Sequence, residues 1–102
     1  VAIKILIPSV NELLERSLPQ EIEGDIVKII ESIPQVLAYH NLKTRRVGNT
    51  FVIDVHIKLD KDILFVSSHE VATEIENNLR NRFGNQTIIN IHTEPYQNNV
   101  KV

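Results

Sequence analysis

The sequence predicts a small α+β domain whose helices and strands follow the order α-β-β-α-β. Two stretches carry apolar residues at spacings of three and four, which is the period of an amphipathic helix. Other stretches alternate apolar and polar residues, as strands with one buried face do. We therefore expect a three-stranded sheet with both helices packed on one face.

The first helix is predicted to begin near Pro19 and to end at Pro34. Proline is favoured in the first turn of a helix, where its missing N–H is not needed. The acidic residues that follow suit the positive end of the helix dipole. The predicted buried stripe consists of Ile22, Ile26, Ile29, Ile30 and Ile33.

Two strands are predicted next, over residues 36–47 and 51–59, joined by a two-residue turn at Gly48-Asn49. The second strand shows the clearest alternation in the chain. Its core face is predicted to carry Phe51, Ile53, Val55, Ile57 and Leu59. Its polar face is predicted to carry Val52, Asp54, His56 and Lys58.

The second helix is predicted to begin with a capping box, in which Ser67 caps the helix and Glu70 reaches back to it. Gly84 fits the end of this helix. The predicted buried stripe consists of Val71, Ile75 and Leu79.

The last strand is predicted to run from Gln86 to about Glu94, with Ile89 and Ile91 on the core face and His92 on the other. The complete order of elements is typical of a ferredoxin-like or metallochaperone-like α+β sandwich.

Composition argues against several classes of function. Lys and Arg number 11 and Asp and Glu 13, so the net charge of −2 gives no basic surplus for nucleic acid. The absence of Cys excludes a disulfide framework and a thiolate metal site. The sequence has no glycine-rich phosphate loop, and helix capping explains Ser67 and Ser68 better than a catalytic triad, so we expect no enzyme.

The chain begins at Val1 and contains no Met, so we expect a piece of a longer protein. The apolar run over residues 1–10 is shorter than the about 20 residues that span a bilayer. We expect residues 1–18 to be a linker, residues 19–95 to form the domain, and residues 96–102 to be a flexible tail.

Four histidines, His40, His56, His69 and His92, are candidate metal ligands together with Glu94. Imidazole and carboxylate suit Zn²⁺ and other divalent transition metals. His92 and Glu94 are two residues apart on one strand and therefore point to the same face. However, a single histidine is more often a surface residue than a ligand, and the spacing matches no short metal-binding motif.

The position of His40 conflicts with this grouping. A two-residue turn at Gly48-Asn49 pairs Asn41 with His56, which leaves His40 on the opposite face of the sheet. His40 can join the site only if the first strand is bulged or irregular near its start, or if the site lies at the sheet edge.

Six segments of the chain match a family pattern that is weak in each segment and specific in combination. They lie between Asn11 and Pro95, nearly the whole chain. They are Leu13-Leu14-Glu15-Arg16-Ser17-Leu18-Pro19, Ile33-Pro34-Gln35-Val36, His40-Asn41-Leu42-Lys43-Thr44-Arg45, Ile53-Asp54-Val55-His56, His69-Glu70-Val71-Ala72 and Ile91-His92-Thr93-Glu94-Pro95. Together they resemble the cytoplasmic C-terminal domain of the cation diffusion facilitators, which transport zinc and related divalent metals, usually in exchange for protons.

The resemblance implies a metallochaperone-like fold, a homodimer, and a zinc site near the dimer contact that often holds two ions. By position, the four histidines match family ligands. Glu94 falls where an Asp ligand is common, and Asn41 replaces a frequent Asp. The domain would lie at the cytoplasmic face of a membrane, joined through residues 1–18 to a transmembrane transporter.

The function implied by the resemblance is regulation, in which Zn²⁺ binds within and between protomers, tightens the dimer and biases transport. Two alternatives remain open: a purely structural dimerisation domain with incidental histidines, and a regulatory domain that senses a small molecule. The sequence leaves open the physiological metal and the number of ions.

Overall fold

The structure, a computed structural model, describes residues 17–97. The predicted linker before Ser17 and the tail after Gln97 lie outside the described residues. No helix within residues 17–97 is long and apolar enough to cross a membrane. The elements are α1 (Gln20–Glu31), β1 (Ala38–Val47), β2 (Thr50–Leu59), α2 (Phe65–Phe83) and β3 (Ile88–Pro95), which confirms the predicted fold class.

The strands form one sheet in the order β1-β2-β3. β1 and β2 are antiparallel and joined by the predicted turn, with Val47 opposite Thr50. Gly48 has a φ of 62°, a conformation that glycine adopts without steric cost. β3 runs parallel to β2, a pairing that needs a long crossover, and α2 supplies it. β2 is therefore central, and β1 and β3 are the edges of the described sheet.

One face of the sheet packs against both helices to form the core. The alternation in β2 is as predicted from Ile53 onward, because Ile53, Val55 and Ile57 are each 0% exposed. Val52, predicted for the polar face, is only 5% exposed, so the prediction is wrong at the start of the strand. The opposite face carries His56 and the other polar side chains of β2 and is not covered by either helix. The buried core consists of Leu18, Ile26, Ile30, Ile33, Ile53, Val55, Ile57, Leu59, Val71, Ile75, Leu79 and Ile89.

The chain just before α1 is tied to β1 by a buried threonine. The Leu18 N–H donates to Thr44 Oγ1 at 2.9 Å, and the Thr44 hydroxyl donates to Glu23 Oε2 at 2.5 Å. Leu18 is 5% exposed and Thr44 is 6% exposed. Thr44 therefore joins the segment before α1, α1 itself and β1 through one hydroxyl group.

The predicted capping box at the start of α2 is wrong. The helix begins at Phe65, two residues before Ser67, with Leu64 as its cap and no side chain capping it. The N–H of Ser68 donates to the Leu64 carbonyl, and its hydroxyl donates to the Phe65 carbonyl, so the serines lie inside the first turn. The apolar periodicity did not mark this turn because the side chain of Phe65 is exposed.

Candidate metal centre

A bulge in β1 decides where His40 lies. Lys43 stands opposite Asp54, as the hairpin turn requires, but His40 stands opposite His56. The register therefore changes between His40 and Lys43. Because side chains alternate along a strand, this change moves His40 to the face that carries His56. The bulge is one of the two conditions under which the sequence allowed His40 to join the site.

The bulge consists of two residues, Asn41 and Leu42, that face the single residue Val55. Asn41 has a φ of 54°, in the left-handed region that most residues avoid and that Asn tolerates better than other non-glycine residues. A left-handed residue in the extra position is a known form of β-bulge. The backbone at Asn41 thus reverses the direction in which the preceding residues point.

Three histidines form a row across the three strands. His40, His56 and His92 are neighbours in the two strand registers. The ring centroids of His40 and His56 are 5.0 Å apart, and those of His56 and His92 are 4.8 Å apart, with the latter pair stacked. The parallel register of β3 also sets Glu94 beside Lys58.

Glu94 is the acceptor at which these side chains converge. His56 Nδ1 lies 2.5 Å from Glu94 Oε2, His40 Nε2 lies 2.9 Å from Oε1, and Lys58 Nζ lies 3.2 Å from Oε1. The hydrogen bond from His56, followed by those from His40 and Lys58, lowers the pKa of Glu94 from 4.5 to about 2. An ionised carboxylate only accepts hydrogen bonds. In this arrangement His40 Nε2 and His56 Nδ1 are therefore the donors, and each carries a proton.

The residues present fit a divalent transition metal. One ligand atom from each of His40, His56 and Glu94 lies within 4.8 Å of the others. Two ligands bonded to one zinc ion at 2.0–2.1 Å lie about 3.3 Å apart in a tetrahedron, so small side-chain rotations close the group. The donor set of two imidazoles and one carboxylate is one that zinc uses when a fourth position stays open.

The structure places the other two predicted ligands differently. His92 stacks on His56 but is not part of the three-residue group found within residues 17–97. His69 is exposed in the first half of α2 and does not belong to that group either. Lys58 was not predicted as part of the site, because its contact with Glu94 depends on the register of a parallel strand that no turn sets.

Known proteins are similar to this chain in sequence. A family model described as the cytoplasmic domain of cation efflux proteins matches residues 18–96. The cation-efflux pump FieF of Escherichia coli (strain K12 / DH10B) is 34% identical over 94 residues, which are 92% of this chain and 31% of the pump. The chain thus spans about a third of the length of the pumps that it matches. The relatives that it matches are cation-efflux pumps.

Solved structures share the fold. One of the transporter CzrB has a TM-score of 0.73 and 28% identity, covering 79% of this chain and 100% of that chain. The metal-bound C-terminal domain of the CzcD transporter from Thermotoga maritima has a TM-score of 0.70 and 25% identity, covering 82% of this chain and 100% of that chain. The sequence match, the fold and the His/Glu group agree with one another. This chain therefore belongs to the cation efflux proteins, also called cation diffusion facilitators, and corresponds to their cytoplasmic domain.

Proposed function

We propose that this domain binds a divalent transition metal, with Zn²⁺ as the first candidate, and that binding regulates a cation efflux transporter. The observation that carries the proposal is the convergence of His40, His56 and Glu94 from three different strands. Three ligands from three strands hold a site whose geometry depends on the fold, so metal binding and domain structure are coupled.

The hydrogen bonds at Glu94 suggest how the site would change on binding. His40 Nε2 and His56 Nδ1 carry protons that point at the carboxylate, and a nitrogen must be free of its proton to act as a metal ligand. Each ring must therefore lose that proton or move it to its other nitrogen. A neutral ring that moves its proton releases none, whereas a doubly protonated ring releases one, so metal binding should weaken as the pH falls.

A second ion would use Glu94 again together with His92 and His69. Glu94 offers two oxygens, and His92 lies beside His56 in the row of rings. His69 is exposed on α2, outside the group that the described chain forms by itself. We therefore assign His69 to the metal site of a second copy of this chain. With this second ion, each protomer of the homodimer would hold two ions.

An apolar patch supports docking of that second copy. Leu64, Phe65 and Val66 are consecutive and are 69%, 86% and 58% exposed. Exposed apolar runs of this kind mark surfaces that contact other proteins. Phe65 lies four residues before His69 on α2, hence on the same helix face, and it lines a 310 Å³ cleft together with Glu94. A copy docked on Phe65 would thus also approach the metal centre.

Regulation would follow from a difference in metal affinity between two arrangements of the dimer. A ligand shifts such an equilibrium only by as much as it prefers one arrangement. Ligands from two protomers provide that preference, because all of them reach the ion only when the copies are close. The metal would also neutralise the negative charge of Glu94, which further favours the closer arrangement of the two copies.

The test is calorimetry with Zn²⁺ on the wild type and on the double variant His56→Ala plus His92→Ala. The double variant should lose more affinity than the about 10- to 100-fold that second-shell mutations cost. Asn77→Ala plus Asn81→Ala, two exposed changes on α2, is the matched control and should bind as the wild type does.

Equal Zn²⁺ affinity in the wild type and in the double histidine variant would contradict the proposed metal site. A purely structural dimerisation domain predicts no change in melting temperature with Zn²⁺ or with EDTA. A small-molecule sensor predicts stabilisation by an organic ligand and none by metal. Sedimentation with and without Zn²⁺ tests the second copy, since the proposal predicts a larger dimer fraction with metal.

Lys58 is expected to weaken metal binding, because its ammonium group lies 3.2 Å from Glu94 Oε1 and competes with the metal for the same charge. Lys58→Gln should raise the affinity for Zn²⁺ by about threefold to tenfold, most clearly at low salt. Lys28→Gln, at an exposed position on α1, is the control. Equal or lower affinity in Lys58→Gln would show that the ammonium group does not compete.

A further inference from the structure

We propose that Asn41 is a positioning residue for the metal centre, and that its left-handed backbone conformation keeps His40 on the ligand face of the sheet. The inference rests on the proposed function, because it concerns the geometry of the same site. Asn41 is the only non-glycine residue with a positive φ in the described part of the chain. Its own side chain is exposed and lines an open cleft together with His56 and His92.

The alternative to the bulge is a regular strand. Continuing the register of the hairpin turn would pair His40 with Ile57, whose side chain is 0% exposed in the core. His40 would then point toward the helices, where an imidazole without hydrogen-bond partners is costly. Tyr39, which now packs against the core, would turn to the open face. A regular strand would therefore put His40 in the core in place of Tyr39 and would remove His40 from the ligand face.

The packing of β1 favours the bulge independently of the histidines. Tyr39 and Leu42 both pack against the core, although residues three apart on a regular strand point to opposite faces. One extra residue between Tyr39 and Leu42 allows both side chains to point toward the core. In this bulge the extra residue, Asn41, adopts the left-handed conformation with a φ of 54°, which Asn accepts and which β-branched residues strongly disfavour.

The consequence for metal binding is that the backbone preference at position 41, and not the amide group, matters. Asn41→Gly removes the side chain and keeps access to positive φ. Asn41→Val keeps a side chain of similar width but penalises positive φ. If Asn41 acted through its amide group, for example by contacting a metal-bound water, the two variants would be equally impaired.

The experiment compares Asn41→Gly, Asn41→Asp and Asn41→Val by two readouts. The first is Zn²⁺ affinity by calorimetry. The glycine variant should stay near the wild type, and the aspartate variant, which adds a negative charge beside His56 and His92, should bind at least as tightly. The valine variant should lose about 5- to 30-fold, the cost of a disfavoured left-handed residue. The second readout is the nuclear Overhauser contact between the His40 and His56 rings in the metal-free protein, whose centroids are 5.0 Å apart.

Loss of the ring contact in Asn41→Val and its retention in Asn41→Gly would support the inference. Wild-type affinity together with a retained ring contact in Asn41→Val would overturn it, as would equal losses in valine and glycine variants. If Asn41→Val fails to fold, Asn41→Ala, which disfavours positive φ less severely, takes its place with the same criteria. Because the ring contact is measured without metal, failure of the wild type to bind Zn²⁺ would overturn the proposed function separately.

Discussion

Glu94→Gln is expected to abolish most of the Zn²⁺ affinity of the domain, by about 100-fold or more. The two side chains have nearly the same shape, but the amide is neutral and is a much poorer zinc ligand than a carboxylate. Glu94 also receives hydrogen bonds from His40 and His56, so the variant loses the group that orients both imidazoles. Calorimetry and the Zn²⁺-induced rise in melting temperature measure the effect.

The matched control for this variant is Glu31→Gln, which removes the same charge from an exposed position on α1. The control should keep the affinity of the wild type within about threefold, as expected for a distant surface charge. An affinity of Glu94→Gln that equals the control would contradict a metal site built on this carboxylate.

The metal-free protein should show a second effect of Glu94, on acid stability. Interactions with His56, His40 and Lys58 lower the pKa of Glu94 from 4.5 to about 2 in the folded state. A group with a lowered pKa stabilises the fold fully above its unfolded pKa, and this contribution disappears as the pH falls from 4.5 through about 2. Urea unfolding of the wild type and Glu94→Gln should therefore differ most above this window and converge below it.

Ile57→Ala is expected to cause the largest loss of stability, about 2–5 kcal/mol in the free energy of unfolding. Ile57 is 0% exposed on the central strand and faces the core directly behind the histidine row. Its truncation leaves a cavity that the neighbouring strands and helices cannot fill. Domains of this size have a total stability of about 5–15 kcal/mol, so the loss is a large fraction of it.

Urea unfolding at neutral pH measures this loss, with Leu37→Ala as the control. Leu37 is 52% exposed, and its truncation should change stability by no more than about 0.5 kcal/mol. A loss below about 1 kcal/mol in Ile57→Ala would contradict the described core. Saturating Zn²⁺ should restore part of the stability if it binds the folded state alone.

The sequence was sufficient for the elements whose signal is local. The stripe of α1, the Gly48-Asn49 turn and the alternation of β2 from Ile53 onward each follow from residue types at fixed spacing, and the structure confirms them. The start of α2 differs from the prediction because the helix begins at an exposed Phe65 without a capping side chain, so neither a buried stripe nor a cap marks its first turn.

The candidate site could be predicted only in part, because its geometry depends on two registers. The spacing of Tyr39 and Leu42 contained a signal for the bulge, since both are apolar and three residues apart in a strand. No comparable signal exists for β3, because a helical crossover leaves the register of a parallel strand free. The placement of His92 beside His56 and of Glu94 beside Lys58 therefore required the three-dimensional structure.

The bulge in β1 has a consequence beyond the orientation of His40. β1 is an edge strand of the described sheet, and a regular edge presents a continuous row of backbone groups on which strands of other molecules can add and aggregate. Bulges interrupt such a row, and cationic side chains along the edge discourage close approach. β1 combines its bulge with Lys43, Arg45 and Arg46. The bulge that turns His40 toward the other ligands thus also protects this edge of the described sheet against aggregation.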